Sequence, residues 1–412
     1  MISVFPADYD RHDSGTEGLR QALDFVRKQW RQLEHKAPRD SGTLIGLPEK
    51  YIVPATPSEH FSFQEQYYWD TYFTAIGYNG PNKEAMIEGM LDNLIYLFER
   101  FGIIPTANRM YFTGRSQPPL LTSYIFYLYD HYNKSTAWLA KRMAVAEREY
   151  HTVWMGAQQP NWRRVGVLNR YYDINALHDL AEAESGWDMT PRFERKCLDF
   201  YPVDLNALLY KYESDFARLA EISGDKTAHK DWQHAARMRK KSVDELMWNE
   251  AKQMYFDYNY VKRTQSSFLS LASFYPLWAG MASQEQAAGM AKSLPKFMHV
   301  GGLSATVRPL IDMSIFGSMK TQWAIPNGWA PLHYIVTEGL EQYGFSYQAA
   351  EIAKKWIATN LHWYESHGEF IEKYNVVNPE RSPHDGMYPS QAGFAWTNAI
   401  FVFYARKYFG LE

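Results

Sequence analysis

The chain is poor in three things: cysteine, runs of like charge and long apolar stretches. Its one cysteine, Cys197, cannot form an intrachain disulfide, and with no cluster of ligands beside it no zinc site is expected. Cys197 reads as a packing residue rather than a nucleophile. No segment approaches ~18 uninterrupted apolar residues, so no membrane-spanning helix is expected. The opening Met1-Ile2-Ser3-Val4-Phe5-Pro6-Ala7-Asp8 lacks the basic start and apolar core of a signal peptide, which makes the cytoplasm the expected compartment. The formal net charge is -3 with no block of one sign, and nothing points to nucleic acid or an anionic membrane as partner. The 13 histidines show no His-Glu-x-x-His spacing, and no Gly-rich loop opens a helix. Neither a metal nor a nucleotide cofactor is expected, and His178 and His384 read as structural residues. No Pro/Gly/Ser-rich linker divides the 412 residues, so one domain over 1–412 is expected. No short repeat is visible, which argues against a regular solenoid. Oligomeric state has no signature here.

What the chain has in abundance is aromatic side chains: 14 Trp, 30 Tyr and 23 Phe, 16% of the total. Flat apolar rings, with a polar handle on Tyr and Trp, suit both a large core and the C–H faces of a sugar. Hydrophobic residues reach 46%, enough for a sizeable core. Helical periodicity dominates. Met86, Met90, Leu94, Leu97 and Phe98 share one face at spacings of three and four, as do Leu205, Leu208, Leu209, Tyr212, Phe216 and Leu219. Pro202 suits a first helical turn, and Ser223-Gly224-Asp225 is a stop before a second helix over about 226–248. Further helices are expected over 16–35, 119–131, 135–156, 265–281, 284–293, 330–342, 345–362 and 391–408. Only Met254–Tyr258 reads as a strand. Helices in successive pairs imply an all-α toroid of hairpins whose inner ring lines a pocket. The short Gly-, Pro- and aromatic-rich loops would then meet at one mouth, where functional residues sit on a rigid scaffold.

Five segments carry chemistry. In Phe61–Phe73, Asp70 beside Trp69 can accept two sugar hydroxyls while rings cover the sugar face; equally, Asp70 can cap a buried helix. Ile104–Pro119 offers Asn, Arg and Gln donors on a proline-bounded loop with little entropy to lose, or is a structural loop whose Arg pairs with a surface acid. In Glu184-Ser185-Gly186-Trp187-Asp188, a carboxyl next to an indole is desolvated and its pKa raised, which a general acid requires. The alternative is that Asp188 begins the next helix. Gln322–Leu332 flanks a Pro-Asn-Gly turn with Trp323 and Trp329. Last come Phe370–Asn375, where Glu372 is the candidate general base unless it merely pairs with Lys373 at the surface, and Tyr388–Asn398.

In that order, these segments resemble the trehalase family of inverting glycoside hydrolases over roughly residues 50–400. The sharpest matches are Tyr67-Tyr68-Trp69-Asp70-Thr71-Tyr72-Phe73, Arg115-Ser116-Gln117-Pro118-Pro119, Ser185-Gly186-Trp187-Asp188, Pro326-Asn327-Gly328-Trp329-Ala330-Pro331-Leu332, Glu372-Lys373-Tyr374 and Gly393-Phe394-Ala395-Trp396-Thr397-Asn398. The resemblance implies an (α/α)6 toroid with a central site, Asp188 as general acid and Glu372 as general base. It implies that Phe63, Trp69, Asp70, Asn108, Arg115, Gln117 and Trp323 hold the glucosyl unit, and Tyr68, Trp187, Asn327 and Trp329 complete the candidate sugar site. Asp188 would protonate the leaving oxygen while Glu372 activates a water on the opposite face. The two carboxyls would lie roughly 6.5–9.5 Å apart. The expected partner is a small sugar.

The family pattern is broken in places. Pro57-Ser58-Glu59-His60-Phe61-Ser62-Phe63 replaces a glycine-rich stretch, and Ser62 replaces its arginine. Gln322-Trp323-Ala324 lacks a motif carboxylate, and Met387 stands where the family has a glutamate. Tyr171–Ala183, with Leu177-His178-Asp179, replaces an Arg-Pro-Glu segment. The lost charges belong mostly to the family's leaving-group subsite, which points to a small α-glucoside, either a trehalose-like disaccharide or an α-glucosyl compound with a small polar aglycone such as glycerol or glycerate. Alanine at 324 is also what an inactivating substitution would look like. Two rivals follow: a glucosylglycerate or mannosylglycerate hydrolase, with Arg164 or Arg192 meeting the carboxylate, and a non-catalytic sugar-binding protein.

Overall fold

The computed structural model describes residues 14–57, 62–80, 82–156, 162–308, 321–386 and 388–411. The opening Met1–Asp8, the Ser58–Phe61 part of the replaced glycine-rich stretch and Met387 lie outside them. In chain order the helices are α1 (Ser14–Leu33), α2 (Tyr68–Gly77), α3 (Glu84–Phe101), α4 (Leu121–His131), α5 (Thr136–Glu149), α6 (His178–Glu184), α7 (Val203–Ile222), α8 (Lys226–Met247), α9 (Tyr275–Trp278), α10 (Gln284–Ser293), α11 (Ala330–Gln342), α12 (Ser346–His367) and α13 (Ala395–Phe409).

Apolar pattern sorts these helices into two rings, because a helix apolar on all sides must be buried and an amphipathic one can face water. All ten residues of α2 and ten of the 13 in α11 are buried. In α8 only Ala236, Arg239, Val243 and Met247 are buried among 22 residues. The inner ring runs α2, α4, α7, α9, α11, α13; α13 packs back on α2, and Tyr72 meets Tyr124 across α2 and α4. The outer ring is α3, α5, α8, α10 and α12, closed by α1, which packs on α12 and α13. The result is an (α/α)6 toroid. At the closure a Cβ on Gly77 would lie 1.9 Å from the Ala399 carbonyl oxygen, so α2 and α13 approach as closely as they do only because residue 77 is glycine.

Most expected helices are present within a few residues. The expected helix over 265–281 is not. Residues 264–265 join a strand and Ser270 bridges Thr306, so helix begins only at a 3-10 turn, Leu271–Phe274, that runs into α9. The segment is buried on every side, and an apolar run without a polar face carries no period to mark its ends. The last turn of the expected 135–156 helix is a π-helix, Tyr150–Trp154. The Met254–Tyr258 strand is two two-residue strands, Met254–Tyr255 and Tyr258–Asn259. Each β element among the described residues is only two or three residues long. Two such strands matter for function. Asn327–Trp329 pairs antiparallel with Lys373–Asn375, Trp329 opposite Lys373, and so ties the Pro-Asn-Gly-Trp turn to the Glu372 segment.

Among the described residues, no helix is long and apolar enough to cross a membrane. Cys197 is fully buried, and desolvation pushes its thiol well above the usual range.

Candidate active site

A cavity of about 480 Å³ opens where α2, α11 and α13 begin. Its floor is tryptophan. Trp323 stacks on Trp329 with centroids 3.7 Å apart and planes 5° from parallel, while Trp69 and Trp396 meet this pair at steeper angles. Such a floor offers a sugar a wide apolar face and excludes bulk water beneath it.

Three carboxyls line this cavity: Asp70, Asp188 and Glu372. Asp188 follows α6 on a turn, and Gln322 donates its side-chain N–H to the Asp188 carbonyl. The Asp188 side chain is half-buried. Burial pushes its carboxyl up to about 7, and the neighbouring Glu372 charge adds to the rise. Asp70 is raised well above the ordinary range, again first by burial. Glu372 has different company. It is 1% exposed, and both of its oxygens accept hydrogen bonds: Oε2 from Lys373 Nζ at 2.7 Å, Oε1 from the Tyr388 hydroxyl at 2.9 Å. Lys373 is itself fully buried, over the Trp329 ring. The pair is therefore not the surface charge pair offered as the simpler reading.

The loop before α4 supplies donors. Gln117 Oε1 accepts from the Trp69 backbone N–H at 3.0 Å, so its remaining polar group toward the cavity is its amide nitrogen. Arg115 stands over the Phe112 ring and donates to Asp173 at 3.2 Å. Its Nε is buried without a protein partner. Gly186 forms part of the wall at φ +75, and a Cβ there would lie 2.7 Å from the Trp69 ring. Only glycine fits both that backbone and that contact.

Of the expected sugar-site residues, Phe63, Trp69, Asp70, Arg115, Gln117, Trp323 and Trp329 line the cavity with Asp188 and Glu372. Four do not, and each has another task. Tyr68 points behind α2, where its hydroxyl meets Glu149, Tyr212 and the Leu121 N–H. The Asn108 side chain is consumed by Gln66 N at 2.8 Å and Ile45 O at 2.7 Å. Trp187 is fully buried and backs Trp323, 5.4 Å away. Asn327 holds the Gln322 and His384 backbones.

Several alternatives also resolve. Asp70 is no cap: Tyr67 occupies that position. Asp188 starts no helix, because the chain from 188 to 196 is turn. Arg109 pairs with buried Glu65 rather than with a surface acid. Arg192 cannot meet a substrate carboxylate, since it is fully buried between Asp204 and Asp257. Arg164 is half-buried against Asn169 and does not line the cavity. Ala324 is buried outside the lining. Tyr67, Tyr388, Gln391, Phe394 and Trp396 line the cavity without having been singled out; Tyr67, Phe394 and Trp396 lie in matched motifs, and Tyr388 and Gln391 in the Tyr388–Asn398 segment, which was the available signal.

A ring of helical hairpins whose tryptophan-floored cavity holds carboxyls in unlike surroundings is the architecture of a glycoside hydrolase. The trehalase family model matches residues 6–185 and 172–408. The chain is similar to the neutral trehalase Nth1 from Saccharomyces cerevisiae, at 28% identity and TM-score 0.75, covering 90% of this chain and 76% of that one. In fold it is similar to a GH63 mannosylglycerate hydrolase from Thermus thermophilus solved with Tris and D-glycerate, at 17% identity and TM-score 0.67, covering 93% and 100%. It is also similar in fold to a rhamnosidase from Klebsiella oxytoca, at 12% identity and TM-score 0.58, covering 98% and 65%. The chain belongs to the trehalase family and is a glycosidase.

Proposed function

We propose that the protein hydrolyses a small α-glucoside with inversion, Asp188 acting as general acid and Glu372 as general base. The observation that carries this reading is the contrast between two carboxyls in one cavity. Asp188, raised to about 7 by burial, keeps its proton near neutral pH and can deliver it to a leaving glycosidic oxygen. Glu372, its two oxygens accepting from the Lys373 ammonium and the Tyr388 hydroxyl, can draw a proton from water. Inversion follows if that water lies between Glu372 and the anomeric carbon, with the carboxyls roughly 6.5–9.5 Å apart. Asp70, Arg115 and Gln117 hold the glucosyl hydroxyls over the Trp323 and Trp329 rings. The buried, unpartnered Arg115 Nε supports a bound oxygen there, because buried donors in proteins are nearly always satisfied.

The leaving group is small, polar and neutral in this reading. Arg115 is the one guanidinium lining the cavity among the described residues, and Asp173 already takes it. A glycerate leaving group, as in glucosylglycerate or mannosylglycerate, would have to compete for that same guanidinium. A cytoplasmic location belongs to the proposal and accords with a single buried cysteine that forms no disulfide.

The test is sugar release from trehalose, kojibiose, nigerose, glucosylglycerol, glucosylglycerate and mannosylglycerate, each paired with Asp188→Asn and Glu372→Gln. Release from a neutral glucoside, lost in both variants, is expected. Release from none, with Ala324→Asp also silent, would leave a sugar-binding protein. Release only from Ala324→Asp would mean that alanine at 324 disables the chemistry.

A further inference from the structure

Two loops that line the cavity come from distant parts of the chain. One carries Arg115 and Gln117; the other carries Gly186 and Asp188. A single carboxylate joins them. Glu184, the last residue of α6, is fully buried and accepts from four donor groups on three residues. The Ser116 backbone N–H reaches Oε1 at 2.7 Å, and the Tyr172 backbone N–H reaches Oε2 at 2.7 Å. Arg163 closes the set, its Nε 3.1 Å from both oxygens and its Nη2 2.5 Å from Oε1.

The two backbone contacts sit next to groups of the site. Ser116 lies between Arg115 and Gln117. Tyr172 precedes Asp173, the carboxylate that accepts from Arg115. Two residues after Glu184 comes Gly186, and two more bring Asp188. A second stitch, from the Ile174 N–H to the Gly114 carbonyl at 3.0 Å, ties the Arg115 loop to the Tyr172–Ile174 segment that also reaches Glu184. Burying a carboxylate carries a desolvation cost that a well-packed apolar side chain would not, and here a largely buried guanidinium offsets it. Backbone N–H groups as donors also fix loop position more tightly than side-chain donors do, since they leave no rotamer to adjust on the loop's side.

We propose that Glu184 is a positioning residue that sets the separation between the sugar-holding loop and the general acid. The inference rests on the roles given above to Arg115, Gln117 and Asp188. It makes substrate binding and proton delivery depend on one side chain that touches neither substrate nor reacting atom.

The test uses the whole protein with Glu184→Gln, Glu184→Asp, Arg115→Ala and Glu184→Gln/Arg115→Ala. Hydrogen exchange is followed over 104–118 and 185–190, and kcat and KM are measured on the substrate that the wild type cleaves. Glu184→Gln should speed exchange in both segments and leave the outer helices unchanged. It should lower kcat/KM about 100-fold, shared between a lower kcat and a higher KM, as expected when reacting groups shift by about 1 Å. Glu184→Asp should lose about tenfold in the same shared manner, and it decides the matter should the Gln variant fail to fold. The double variant should lose less than the product of the single losses, because both act through the same loop. Unchanged kcat and KM per folded molecule, exchange faster across the whole ring, or fully multiplicative losses would overturn the proposal. Wild-type protein that cleaves no substrate would overturn the hydrolase reading instead, while the exchange data would still decide whether Glu184 joins the two loops.

Discussion

The two sides of the cavity handle a carboxyl in opposite ways. On the Glu372 side, an ammonium and a phenol hydroxyl saturate both oxygens, and the two-stranded pairing of 327–329 with 373–375 holds the segment rigid. On the Asp188 side burial is the strongest influence and outweighs an opposing backbone hydrogen bond, and the Glu372 charge adds to the rise. In the proposed reaction, carboxyls in such unlike surroundings would divide the work of acid and base between them. The lesson is that the assignment follows from the neighbours, not from the carboxyls themselves.

The contrast can be broken at several points. Removing either carboxyl has the largest effect: Asp188→Asn or Glu372→Gln should each lower kcat about 10²–10⁴-fold with the fold intact, checked by steady-state rates and circular dichroism. Taking away the ammonium comes next. Lys373→Met strands Glu372 in a buried site without its ion-pair partner, which should cost about 3–5 kcal/mol of stability in denaturant titration and sharply lower turnover. Tyr388→Phe is milder. Loss of one hydrogen bond to a charged group, about 1.5–3 kcal/mol, should lower kcat by roughly 10–100-fold with little change in KM.

The smallest effect sharpens the Asp188 side. A carboxyl raised from 3.8 to about 7 on folding binds its proton more tightly in the native state. Its contribution to stability is therefore complete below the unfolded value and is lost as pH rises through about 7. Asp188→Asn should melt a few degrees above wild type at pH above 7 and together with it below about 4, as followed by thermal denaturation. The same proton sets activity, so kcat/KM should fall as pH rises through about 7.

Much of this was legible in the chain itself. Outer helices such as α8 and α12 declare themselves through one-sided apolar spacing, and so does the hairpin of α7 and α8. Inner elements are harder: α9 is buried on every side, and α2 hides within a motif read for its chemistry. At the site, motifs locate Asp188, Glu372 and the tryptophan floor. They do not tell cavity walls from their supports, because adjacent residues such as Tyr68 and Trp69 point to opposite sides of one helix. Nor do they reveal that Lys373 is buried, or that Glu184 reaches Ser116 and Tyr172, since those contacts span distances in sequence that only the ring closes.

The most direct measurement is proton NMR of the sugar first released from the cleaved neutral α-glucoside, taken before mutarotation. An inverting reaction run by Asp188 and Glu372 releases the β-anomer first. Release of the α-anomer first would mean that Glu372 attacks carbon rather than activating water, and would contradict the division of roles between the two carboxyls.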